Sequence, residues 1–223
     1  MVNILLGVTG SVAAIKIREV VAALQEIGEV KIVATDSAIK IIDQIQGASF
    51  RLAGKLSWNQ LSWNQGSLRI LTDEQEWTWQ KIGDPVLHID LKDWADVFVI
   101  APLSANTLAK MANGICDNLL TCIYRAWPVP KLPATVDVPI RLDKFPQSRG
   151  GKLLVLAPAM NTDMWESPHT ERAFKPLWEI HGNKFRVVKP VEKKLACGTT
   201  GIGAMADPAD IAKKVREALD DVG

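Results

Sequence analysis

Residues 3–11 read NILLGVTGS, a short apolar run that stops at Thr9-Gly10-Ser11. Beyond it, Ala13, Ile17, Val20, Val21, Leu24 and Ile27 recur at helical spacing until Gly28. That pattern predicts a buried strand, a tight turn and an amphipathic helix. The unit returns along the chain. VKIVAT (30–35) leads into Asp36-Ser37 and a second periodic stretch, and DVFVIAP (96–102) leads into Ser104 and a third. KLLVLAP (152–158) is followed by MNTDMW and a helical segment reaching His181, while FRVVKP (185–190) precedes a loop. Asp207-Pro208 opens the last helix, with proline where its missing N–H costs nothing. Apolar runs without polar alternation, separated by helices, predict parallel strands covered on both faces. With a weaker strand near Leu68–Leu71, the expected fold is three-layer α/β: a doubly wound, mostly parallel six-stranded sheet of Rossmann-like type, in the order 3-2-1-4-5-6.

The chain's 223 residues are 48% apolar, enough to bury a core as one domain spanning 1–223. Lys and Arg number 26 against 25 Asp and Glu, a net charge of +1. So even a balance builds no phosphate-neutralising face, and nucleic acid is excluded as an expected partner. The N-terminus carries no basic signal-like region, and nowhere do eighteen apolar residues run together, so neither a leader nor a membrane span is expected. Cys116, Cys122 and Cys197 are odd in number and lack CxxC spacing, which suggests no disulfide framework and no metal site. A reducing, cytoplasmic location fits that usage. Two stretches break the rhythm: 51–68, where LSWNQ occurs twice in tandem, and 128–151, rich in Pro, Lys and Gly. Each follows a helix and precedes a strand, so both are expected as surface insertions at the edge of the sheet opposite the ligand-binding one.

Three polar turns converge on that binding edge. The first, GVTGS (7–11), sets two glycines and a hydroxyl at a helix start, where unpaired N–H groups and the helix dipole favour a phosphate. It is neither GxGxxG nor a P-loop, and Ser11 as a plain helix cap explains it equally well. The fourth strand ends in APLSANT (101–107), which brings Ser104, Ala105, Asn106 and Thr107 to the same point. Asp36, after the second strand, keeps a ribose contact open beside a capping role. A single phosphate, as in FMN, matches the first turn better than a pyrophosphate.

Chemistry-bearing residues are few. His88, in DPVLHIDL, is expected four residues into a helix before the fourth strand and is either a half-buried structural residue or a proton-exchanging one. His169 and His181 read as surface residues. In PAMNTDMW (158–165) Asn161 can hold a carboxylate or amide, between the apolar walls of Met160, Met164 and Trp165. KKLACGTTGIGAMAD (193–207) places Cys197 in a Gly-rich loop behind two lysines, where a thiol could give a proton to an intermediate. Cys116 and Cys122 read as small core residues.

Taken together, GVTGSVAA, DPVLHIDL, APLSANTLAKMANGICDNLLTCIYRAW, APAMNTDMW and KKLACGTTGIGAMA resemble the eukaryotic phosphopantothenoylcysteine decarboxylases, within the FMN-dependent cysteine decarboxylase superfamily. The resemblance covers nearly the whole chain outside the two insertions. It implies His88 as active-site base, Asn161 as ligand of the substrate carboxylate with Met164 beside it, and Cys197 as proton donor on a flap. Lys194, Leu195 and Ala196 of that flap would touch the small-molecule substrate, 4'-phosphopantothenoylcysteine. FMN would be held by Gly10, Ser11 and Val12, by Asp36 and Ser37, by Ser104 through Thr107, and by Ala159. The segment Thr35-Asp36-Ser37 departs from the TKS-like form of plant members, placing a carboxylate near a phosphate site. The resemblance also implies a homotrimer with sites between subunits. Two other activities share the fold: oxidative decarboxylation of a peptide's C-terminal cysteine, and regulation of a type 1 protein phosphatase. The latter is carried by chains with long extensions and an acidic tail, whereas this chain ends LDDVG.

Overall fold

The computed structural model describes residues 1–46, 70–130, 151–194, 198 and 200–221. The insertion at 51–68 lies outside them, as do the flap residues Leu195, Ala196 and Cys197. A six-stranded parallel sheet runs in the order β3-β2-β1-β4-β5-β6, the predicted arrangement. Its strands are β1 (Val2–Val8), β2 (Gly28–Ala34), β3 (Ile70–Leu71), β4 (Val97–Leu103), β5 (Leu153–Pro158) and β6 (Phe185–Val187).

Alternation along each strand splits the core in two. Ile4, Leu6 and Val8 join Val97 and Val99 on one face, under α1 (Ile17–Gln25) and α9 (Pro208–Asp220). Leu5, Phe98, Ile100, Leu154 and Leu156 serve the other, under α4 (Leu87–Trp94), α5 (Ala105–Ala112), α6 (Leu119–Ala126) and α8 (Pro168–His181). Every residue of β4 is buried, which is why its sequence shows no polar alternation. Two further short helices, α2 (Asp36–Gln46) and α3 (Asp73–Glu76), flank β3, and α7 (Thr162–Trp165) follows β5.

The chain leaves and rejoins the sheet beside the second insertion at one point. Lys152 N–H donates to Pro128 O at 3.1 Å, and a Cβ on Gly151 would sit 2.6 Å from Pro130.

Three expectations are corrected. The stretch after Pro190 is no simple loop but an antiparallel hairpin, β7 (Val191–Lys194) with β8 (Thr200–Ala204). β7 is mostly charged and exposed and β8 is glycine-rich, so no apolar pattern announces them. His181 is 1% exposed: it closes α8 against Tyr124 and Phe185 rather than facing water. Cys116 is exposed and Cys122 half-buried, so neither is a core residue. Burial still pushes the Cys122 thiol up to about 11, leaving it inert.

Candidate active site

β1 and β4 lie side by side, yet their following segments part. The 3-10 turn Val12–Lys16 after β1 packs Ala14 into one core, whereas α5 after β4 packs Leu108 and Met111 into the other. This divergence opens a crevice at the carboxyl edge. Thr9, fully buried, ties its two walls together: its hydroxyl donates to Pro102 O at 2.8 Å and accepts from Ser104 N–H at 2.7 Å. Sequence reasoning passed over Thr9, whose signal was only its place between two glycines.

Two cavities open beside this tie, one lined by Gly10 and the other by its neighbour Ser11. One, of about 450 Å³, is lined by Gly10, Asp36, Ser37, Ser104, Asn106 and Thr107 among others. The second, of about 390 Å³, is lined by Ser11, Val12, Ala159, Met160, Asn161 and Lys194, with Lys16, Lys193, the β8 residues Gly203 and Ala204, and Met205 just after them. The expected cofactor residues therefore gather around one turn. Ala105, the remaining one, is the first residue of α5.

Local chemistry sets each group. Ser11 Oγ accepts from Ala13 N–H at 3.4 Å and Ser104 Oγ from Thr107 N–H at 3.3 Å, so both hydroxyls cap their helices. The N–H groups of Ala105 and Asn106 have no intrahelical acceptor and make an anion-seeking pair. Gly10 is demanded by packing, since a Cβ there would lie 2.6 Å from Ser37 Cβ at the start of α2. Gly7, by contrast, belongs to β1 and faces Phe98 and Leu120 in the core, away from the mouth. The larger cavity also carries Asp73, Asp117 and Lys110, none of them among the expected site residues. Lys110 pairs with Asp117 at 2.6 Å and holds that carboxyl below its usual range, while burial raises Asp73 despite the N–H of Leu119 at 2.6 Å.

In the smaller cavity Asn161 caps α7, its Oδ1 accepting from Asp163 N–H at 2.8 Å. The same side chain carries amide N–H donors, the chemistry a carboxylate requires. The β7–β8 hairpin presses directly on this loop: Met160 N–H donates to Gly203 O at 2.9 Å, and a Cβ on Gly203 would stand 2.2 Å from Met160 O. Lys194 lines the cavity from β7. Met164 is 48% exposed and absent from the lining, so within one chain it is not a wall of this cavity.

His88 lies in neither cavity lining. It occupies the second position of α4, nearer the helix start than its sequence context implied, and α4 begins at the carboxyl edge because it precedes β4. Its Nδ1 stands 2.5 Å from Glu76 Oε1, and its backbone N–H donates to Glu76 Oε2 at 3.1 Å. Glu76 went unnoticed in the sequence, although Thr72-x-x-Gln75 is a capping-box signature for α3: Gln75 Oε1 accepts from the Thr72 N–H at 2.8 Å.

These elements fit a flavin mononucleotide. Two helix N-termini supply amide and hydroxyl donors, and the turn between them is narrowed by a glycine that tolerates no side chain. An open α/β sheet whose donors converge at its switch point defines a nucleotide-cofactor protein, and the Flavoprotein family model matches residues 1–220. The chain belongs to that family. It is 44% identical to a phosphopantothenoylcysteine decarboxylase of Arabidopsis thaliana, with 96% of this chain and 83% of that protein covered. Among solved structures it resembles a Cys→Ser mutant of PPC decarboxylase complexed with pantothenoylaminoethenethiol, at TM-score 0.74, 41% identity and 98% coverage of both chains. It also resembles the FMN binding protein AtHal3, at TM-score 0.70 and 42% identity over 98% of this chain and 97% of that one.

Proposed function

We propose that this protein is an FMN-dependent decarboxylase that converts 4'-phosphopantothenoylcysteine to 4'-phosphopantetheine, a step of coenzyme A synthesis. The observation that carries this reading is that consecutive residues, Gly10 and Ser11, line two cavities, one walled by the cofactor turns and the other by the Asn161 loop. Gly10 through Val12, Asp36, Ser37, Ser104 through Thr107 and Ala159 hold the cofactor. When bound, FMN would supply a reversible two-electron sink for the substrate's CH2–SH carbon, the electron acceptor that loss of CO2 requires. Asn161 fixes the carboxylate through its amide N–H groups. His88 takes the proton released on oxidation, and Cys197 returns one when the enethiol is reduced. Lys194, Leu195, Ala196 and Met164 form the remainder of the substrate site. Asp36 is accommodated if its carboxylate meets ribose hydroxyls rather than phosphate, a role open to it at the first residue of α2.

Assembly as a homotrimer belongs to the same proposal, with sites shared between subunits. Trp77, Trp79 and Ile82, exposed by 83%, 49% and 94%, cluster in the segment that leads to His88, an apolar burden suited to a neighbouring subunit. Met164, 48% exposed and outside its own chain's cavity lining, suits the same arrangement. No helix among the described residues is long and apolar enough to cross a membrane. The test is direct. Purified protein should be yellow, release CO2 from the phosphorylated substrate and scatter light as a trimer. His88→Asn should lose about 100-fold or more of turnover, the lower range of general acid–base contributions. Undiminished turnover would remove His88 from the mechanism, and a monomeric active holoenzyme would remove the shared site.

A further inference from the structure

We propose that Glu76 is the positioning residue of this active site, fixing the tautomer of His88 so that Nε2 carries the lone pair. The proposal rests on the role assigned above to His88. Both oxygens of one carboxylate are engaged by a single residue: Oε2 accepts the His88 backbone N–H at 3.1 Å, and Oε1 faces Nδ1 at 2.5 Å. A carboxylate only accepts, so the ring nitrogen opposite it must carry the proton. Nε2, which has no hydrogen-bond partner among the described residues, is then the basic end. The pair is shielded, with side chains 13% and 25% exposed for Glu76 and His88.

Backbone geometry makes the arrangement hard to replace. Val86, at the N-cap of α4, offers no side-chain cap, so Glu76 satisfies a first-turn N–H of that helix from outside. Three residues earlier on α3, Asp73 does the same for α6, accepting the Leu119 N–H at 2.6 Å, and it also lines the larger cavity. One helical turn thus registers two helix starts and the ring of His88 against the cofactor cavity.

The decisive variant is Glu76→Gln. Glutamine has one acceptor oxygen, and the backbone N–H cannot change its polarity. Its oxygen therefore stays on that N–H while its NH2 turns to Nδ1, which must become an acceptor. The cap survives and the tautomer inverts. With only three histidines in the chain, ring 15N correlation spectra assigned by His88→Asn can be read at about pH 8, above the ordinary imidazole range. The expected result is Nδ1–H in the wild type and Nε2–H in Glu76→Gln, with kcat lowered by about 10- to 100-fold and KM within about 3-fold. A wild-type ring in the Nε2–H form, an unchanged tautomer in the variant, or wild-type kcat overturns the proposal. Should the wild type release no CO2 from the substrate, the functional reading falls, while the spectra still decide whether Glu76 sets the ring.

Discussion

Acidification should destabilise this protein through His181. The residue ends α8 with 1% of its surface exposed, its Nε2 lies 3.3 Å from Tyr124 Oη, and its Nδ1 has no partner among the described residues. Burial lowers its pKa from 6.5 to about 4, because a charged ring there would keep one contact and lose its water. The unfolded chain binds a proton near the ordinary value and the folded one does not. Stability from this group is therefore intact above about pH 6.5 and is lost as pH falls towards 4. At about 1.4 kcal/mol per pH unit, the loss between pH 7 and pH 5 comes to about 2 kcal/mol, a large share of a typical domain's 5–15 kcal/mol. The assay is urea unfolding of wild type and His181→Phe at both pH values, with protein and FMN concentrations held fixed. Phenylalanine keeps the ring contacts to Tyr124 and Phe185, and its loss of the Tyr124 hydrogen bond is the same at either pH. The wild type should lose about 2 kcal/mol more than the variant across that interval. An equal loss in both proteins would refute the assignment.

Other perturbations follow from single contacts. Gly203→Ala drives a Cβ to 2.2 Å from Met160 O, so hairpin and Asn161 loop must separate; melting temperature should fall by the equivalent of about 1–3 kcal/mol and turnover with it, and an unchanged melting temperature and turnover would contradict the packing. Lys152 Nζ donates to the carbonyls of Lys92, Asp93 and Ala95 at 2.7–3.0 Å, closing the end of α4. Lys152→Met should cost about 2 kcal/mol in urea unfolding, whereas an unchanged midpoint would deny that capping role. Cys197→Ser should still release CO2 yet accumulate a product two hydrogens short of 4'-phosphopantetheine, visible by mass spectrometry; full conversion would acquit the thiol.

Sequence legibility followed burial. β1, β4 and β5 are enclosed on both faces, so their apolar runs had no alternative reading, and the sheet order is the usual one of a doubly wound fold. The hairpin escaped because what holds it is the absence of side chains at Gly201 and Gly203, which leaves no hydrophobic trace. His181 was misread since its immediate neighbours Gly182 and Asn183 are exposed, while the ring itself turns to Tyr124, distant in sequence. At the site, the residues gathered at Gly10–Ser11 were legible as turn chemistry. Glu76 was not, because a carboxylate twelve positions before its histidine sits on no shared helix or strand and forms no periodic pattern.

The junction of Pro128 with Lys152 has an evolutionary corollary. Where a strand's approach is stapled shut, the genetic material encoded between the staples can lengthen or shrink with little thermodynamic penalty, each doubling adding only about 0.6 kcal/mol of closure entropy. The same joint offers engineers a graft point for a tag or reporter on the face opposite the catalytic crevice.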